Sequence, residues 1–173
     1  MYFRAIAGMV AGLCAGVISG IMFLLMRVPE PDGMTYTVLT FFARAVGSND
    51  PALGWSYHLF NSAILGIFFG LLVGKAVTKL LSAVGFGLVA SLVLWGLANL
   101  ILLPQFRDDV MGFSDSPIGA FGLATLIGYA VQGVLLGVIF LWVYNPIAVA
   151  ESRESKAKNK QKRSSRGGNR LRA

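Results

Sequence analysis

The sequence predicts an all-α polytopic membrane protein: four transmembrane helices in a glycine-packed bundle, with a short interfacial helix in the first outer loop. Three observations predict it. Of the 173 residues, 55% are hydrophobic and only 13% charged, where soluble domains carry about 25% charged residues. The apolar residues gather into four runs long enough for a bilayer core of roughly 30 Å, which takes about 20 residues of helix. Each run also carries small residues at four-residue spacing, which lie on one helix face.

Residues 5–26 form the first run, with Gly8, Gly12, Gly16 and Gly20 in series. It exceeds the 7–15 apolar residues of a signal peptide and has a packing face, so it reads as a retained span. Cys14, the lone cysteine, lies within it and excludes an intramolecular disulfide. In residues 33–46, Asp32 is the expected N-cap and Gly47 the stop. Thr37, Thr40 and Arg44 share one face, with Val38, Phe41, Phe42 and Ala45 on the other. This pattern suits a helix lying in the outer interface or one packed over the bundle mouth. Ser48, Asn49, Asp50 and Pro51 form a turn.

The second run spans residues 55–74, with Trp55 and Tyr57 as headgroup anchors and Gly66, Gly70 and Gly74 on one face. The third spans 80–103, with Ala83, Gly87 and Ser91, and ends at Pro104. The fourth spans 122–144, with Gly133 and Gly137, and Pro117 suits its first turn. Small faces let helix backbones approach closely in lipid, where packing drives association. Residues 57–73 align weakly with 128–144, matching Asn61 to Gln132, Gly66 to Gly137, Phe69 to Phe140 and His58 to Tyr129. That alignment suggests two parallel helical hairpins related about the membrane normal.

Basic residues set orientation. Arg4, Lys75, Lys79 and nine tail residues place twelve on one side. Arg27, Arg44 and Arg107 place three on the other, among Glu30, Asp32, Asp50, Asp108, Asp109 and Asp115. Both termini are therefore expected in the cytoplasm and the acidic loops outside, in the plasma membrane. Residues 1–146 form the expected membrane domain. Residues 147–173 read as a disordered basic tail without apolar periodicity. Its Lys156, Lys158, Lys160, Lys162, Arg163 and Arg166 suit anionic lipid or an acidic protein partner. The tail lacks interleaved aromatics, so nucleic acid is not an expected partner.

Candidate polar contacts at membrane depth are His58, Asn61, Asn99 and Gln132. His58 is the only histidine, with Asn61 and Ser62 on its face. It reads either as a contact for metal, haem or quinone, or as an interfacial ring bonded to an outer-loop carbonyl or carboxylate. The amides read as interhelical hydrogen bonds or as ligand contacts. No span carries a charge at its middle, which argues against proton-coupled or voltage-driven machinery. No catalytic constellation, zinc motif or phosphate loop is recognised. The sequence requires no cofactor, assigns no metal site and does not read as an enzyme.

The order Gly-rich helix, loop helix, Gly54-Trp55-Ser56-Tyr57-His58 and Gly-spaced helix is similar to a family of small uncharacterised four-helix membrane proteins of bacteria and archaea. The resemblance covers residues 5–144 and implies the fold, with no established activity. Members tend to carry a histidine in the fourth helix, where this chain has Tyr129. Together these readings favour a structural subunit or accessory protein of a larger membrane complex, joined to other subunits or to itself. The alternatives are a small transporter or channel of two hairpins, and a redox subunit that binds a cofactor through His58.

Overall fold

The computed structural model describes residues 2–29, 33–102 and 120–170, with side chains for 2–29, 33–99 and 121–146. The chain is mostly helical, in the order α1 (Tyr2–Leu25), β1 (Arg27–Pro29), β2 (Thr35–Thr37), α2 (Val38–Arg44), α3 (Pro51–Leu72), α4 (Leu80–Gly96), a π-helical segment (Leu97–Leu102) and α5 (Ala120–Arg170). Among the described residues, four stretches are long and apolar enough to cross a membrane: Tyr2–Leu25, Pro51–Leu72, Leu80–Asn99 and Phe121–Pro146. This is a multi-pass membrane protein.

The loop helix is shorter than its sequence pattern suggests. Thr35–Thr37 pairs as an antiparallel strand with Arg27–Pro29, so α2 starts only at Val38. Its N-cap is Thr37, whose Oγ1 accepts from the Thr40 amide at 3.2 Å. The expected cap Asp32 lies outside the described residues. Gly33 and Gly47 take φ of +80° and +75°, which glycine adopts without steric cost. Val38, Leu39, Phe41 and Ala43 are buried, and α2 packs mainly on α3.

Helix α3 starts at Pro51, four residues before Trp55, because Asp50 caps it: Asp50 Oδ1 accepts from the Ala52 amide at 2.9 Å, and proline suits the first turn. Ser82 opens α4, its Oγ accepting from the Lys79 amide at 3.1 Å and donating to the Lys79 carbonyl at 2.8 Å. Pro104, Arg107, Asp108, Asp109, Asp115 and Pro117 lie outside the described residues.

Helix α5 continues past Pro146 to Arg170. Ala, Glu, Lys, Arg and Gln are strong helix formers, and extending an existing helix avoids the cost of nucleation. The side chains of Lys156, Lys158, Lys160, Lys162, Arg163 and Arg166 lie outside those described.

The helices lie in the order α3, α1, α5, α4: α1 packs closely on α3 and α5, α5 on α4, while α3 barely meets α4. Two facing stripes on α1 place it between two neighbours. Gly8 and Gly12 meet α3, and a Cβ added at Gly8 would collide with the Gly66 carbonyl. One residue earlier in register, Ala7, Ala11 and Ala15 are fully buried with Phe69, Leu136 and Phe140. In the second seam, a Cβ on Gly87 would collide with the Gly133 carbonyl, and one on Gly137 with the Ala83 carbonyl. A twofold exchanging the two hairpins would require α3 to meet α4 as closely as α1 meets α5. The contacts lack that symmetry.

Candidate functional site

Near the end of the bundle where α1 finishes and α3 begins, α1, α3 and α5 enclose a polar cluster. Its members are Ser19, His58, Ser62 and Gln132, none more than 4% exposed. Four-residue spacing carries His58, Ser62, Gly66 and Gly70 along the face of α3 that meets α1. Gly16 and Gly20 make room. A Cβ on Gly16 would lie 2.6 Å from Ser62 Oγ, and one on Gly20 3.0 Å from the Trp55 ring and 3.2 Å from His58 Cδ2.

Donor and acceptor roles follow from the connections. The Ser62 hydroxyl donates to the His58 carbonyl at 2.8 Å, so its oxygen accepts from Gln132 Nε2 at 2.9 Å. That turns Gln132 Oε1 toward Ser19 Oγ, 3.4 Å away. His58 Nε2 lies 3.0 Å from the Gly16 carbonyl oxygen and 3.2 Å from Ser19 Oγ. A carbonyl only accepts, so Nε2 carries the hydrogen. The Ser19 hydroxyl, 3.3 Å from the same carbonyl, has one hydrogen to share between Gly16 and Gln132. The carbonyl partner of His58 lies within α1 rather than in an outer loop, because the Gly16–Gly20 face brings that backbone to the ring.

Aromatic rings close the cluster. Phe42 of α2 stacks on His58 at 5.7 Å between centroids and 14° between planes. Phe23 meets the His58 edge at 5.2 Å and 81°, and also meets Phe42 at 5.4 Å and Tyr129 at 6.1 Å. Gly128 gives Phe23 its place, since a Cβ there would strike the ring. Gly54 likewise seats α2: its Cβ would strike the Leu39 carbonyl.

Asn99 belongs to a second cluster, between the π-helical segment and α5. Thr125 Oγ1 lies 3.4 Å from Asn99 Oδ1, Trp95 Nε1 donates to the Gly122 carbonyl and to Thr125 Oγ1, both at 3.2 Å, and Asn99 Nδ2 donates to the Trp95 carbonyl at 3.0 Å. Asn61 joins neither cluster; its amide donates to the Tyr57 carbonyl at 3.0 Å within its own helix. Of the four sequence candidates, then, only His58 and Gln132 come together. Gly74 sits in the turn after α3, where an added Cβ would lie 2.8 Å from the Phe140 ring.

The four-residue series Ala83, Gly87, Ser91 would have reached Trp95 if extended one step. No local signal distinguishes Phe23 or Phe42 from other apolar residues. Among the described residues, no three His, Cys, Asp or Glu side chains form a metal-binding group. Comparisons with models of known protein families, with curated proteins and with solved structures find no match to this chain.

Proposed function

We propose that this chain is a small multi-pass subunit or accessory protein of a larger membrane complex, with a structural rather than catalytic role. The observation that carries the reading is the open face of α4. Only 17% of its span is buried within the chain, against 44% for the spans of α1 and α5. Gly85 and Gly96 lie on that face, and a Cβ added at either would meet nothing within 4 Å. Val89 and Leu92 lie between them and are exposed. The spacings of four, three and four residues align all four on one side. A glycine inside a helix costs about 1 kcal/mol relative to alanine, so two glycines that no neighbour among the described residues requires support the close approach of a helix from another subunit.

In this reading the termini are cytoplasmic in the plasma membrane, and the Gly8–Gly66 and Gly87–Gly133 seams act as glycine zippers. The helix α2 covers the outer mouth, and the basic end of α5 meets anionic lipid or an acidic partner. The transporter reading draws less support, because Gln132 and Asn99 are bonded in separate clusters and Asn61 bonds within its own helix. The decisive experiment is purification from native membrane in mild detergent, with a tag near Asn49, followed by mass spectrometry. Stoichiometric partner chains are expected, lost in the double variant Gly85→Leu, Gly96→Leu. A monomer or lone homo-oligomer would overturn the reading.

A further inference from the structure

We infer that His58 Nδ1 anchors a binding site for the hydroxyl of a neutral ring-bearing amphiphile, with a hydroquinone headgroup as the fitting chemistry. Four observations converge. First, Nε2–H is committed to the Gly16 carbonyl at 3.0 Å, which leaves Nδ1 of the neutral ring a bare acceptor. Second, Nδ1 has no hydrogen-bond partner among the described residues, although His58 is only 4% exposed. Third, Ser91 Oγ is the one side-chain polar atom among the described residues that is both sealed and unpartnered. Unpartnered Nδ1 is therefore not completely sealed. Fourth, the surroundings are aromatic: Phe42 stacks on the imidazole, and Phe23 links it to Tyr129. The Tyr129 hydroxyl also has no partner among the described residues.

The polarity of the site selects the ligand. An acceptor that cannot donate recognises a hydroxyl and gives nothing to a carbonyl. A reduced hydroquinone therefore has a partner at Nδ1, whereas its oxidised quinone, which only accepts, finds no donor there. Flat rings favour stacked or edge-on contact with a headgroup of their own kind. An apolar tail would remain in the lipid beside α3 or α5.

Because His58 is the only histidine, labelling the full chain with ring ¹⁵N-histidine reports its two nitrogens alone. In detergent or nanodiscs, an alkyl hydroquinone is expected to shift the Nδ1 resonance saturably while Nε2 stays protonated, and the matching quinone to leave Nδ1 unmoved. An unmoved Nδ1 with hydroquinone, an equal response to quinone, or a protonated Nδ1 in the free protein would overturn the proposal. His58→Gln supplies an amide N–H in place of Nε2–H, while its one acceptor, Oε1, shares a carbon with that nitrogen and does not reproduce the Nδ1 position. Calorimetry should show hydroquinone binding at least tenfold weaker in this variant, and undiminished binding would refute the site. Should the variant fail to fold, the hydroquinone and quinone spectra of the unaltered chain still decide.

Discussion

The seams α1–α3 and α4–α5 are built to the same plan and finished differently. In each, small residues at four-residue spacing bring two antiparallel backbones together: Gly8 and Gly12 against Gly66, Ala83 and Gly87 against Gly137 and Gly133. Toward the far end both give way to polar and aromatic side chains. In the first seam these are Ser19, His58 and Ser62, set against the Gly16 carbonyl, and Gln132 from a third helix completes the set. In the second, Trp95, Thr125 and Asn99 bond between two helices, and Ser91 Oγ is left buried without a partner among the described residues. Glycine thus sets how closely two helices approach, while a polar group reaching across a third sets how pairs are joined. In lipid an unpaired polar group has no water to turn to, so the Gln132 bridge favours this arrangement of α1, α3 and α5 over rotated ones.

The comparison can be broken most severely at its glycines. Gly66→Leu would drive a side chain into the Gly8 carbonyl and cost about 3 kcal/mol, the upper range for overpacking. Thermal unfolding in detergent should show a large fall in Tm, with Gly133→Leu similar, since it strikes the Gly87 backbone. Gly85→Leu, facing open space, should leave the isolated chain nearly unchanged. Equal loss in all three variants would refute the seam account. The next effect is Gln132→Leu, which strips Ser62 and Ser19 of a partner. Its expected cost is about 1–2 kcal/mol, larger than the roughly 0.6 kcal/mol average of one interhelical hydrogen bond because two hydroxyls lose a partner together. Thr125→Val, which disturbs a cluster joining only two helices, should cost less, about 1 kcal/mol. The smallest effect has the opposite sign: Ser91→Ala removes an unpartnered buried hydroxyl and should be neutral or stabilising by up to about 1 kcal/mol. A clear loss of stability in Ser91→Ala would mean that Ser91 has a partner the seam account omits.

Particular residues show how far the sequence could be read. The series Gly8, Gly12, Gly16, Gly20 marks a face from spacing alone, because 3.6 residues per turn align every fourth position. The neighbouring series Ala7, Ala11, Ala15 is equally regular, yet alanine is common in apolar helices and draws no attention. Asn61 and Ser62 both looked like companions of His58. Spacing of three turns Asn61 to one side of the seam, and spacing of four keeps Ser62 within it. Asp50 and Pro51 are a helix start read as a turn, since the same residues serve both until a following helix is seen to use them.

The sequence by itself determined that the chain carries four helices long and apolar enough to cross a membrane and which faces of its helices carry small residues, because hydropathy and helical periodicity are local properties. Only the tertiary structure decided that α1 lies between α3 and α5, that Gln132 reaches Ser62 across seventy residues of chain, and that His58 holds one nitrogen to Gly16 while the other has no partner among the described residues. Those depend on which faces meet. In lipid, small residues make many meetings feasible, and the satisfaction of a few buried polar groups selects among them.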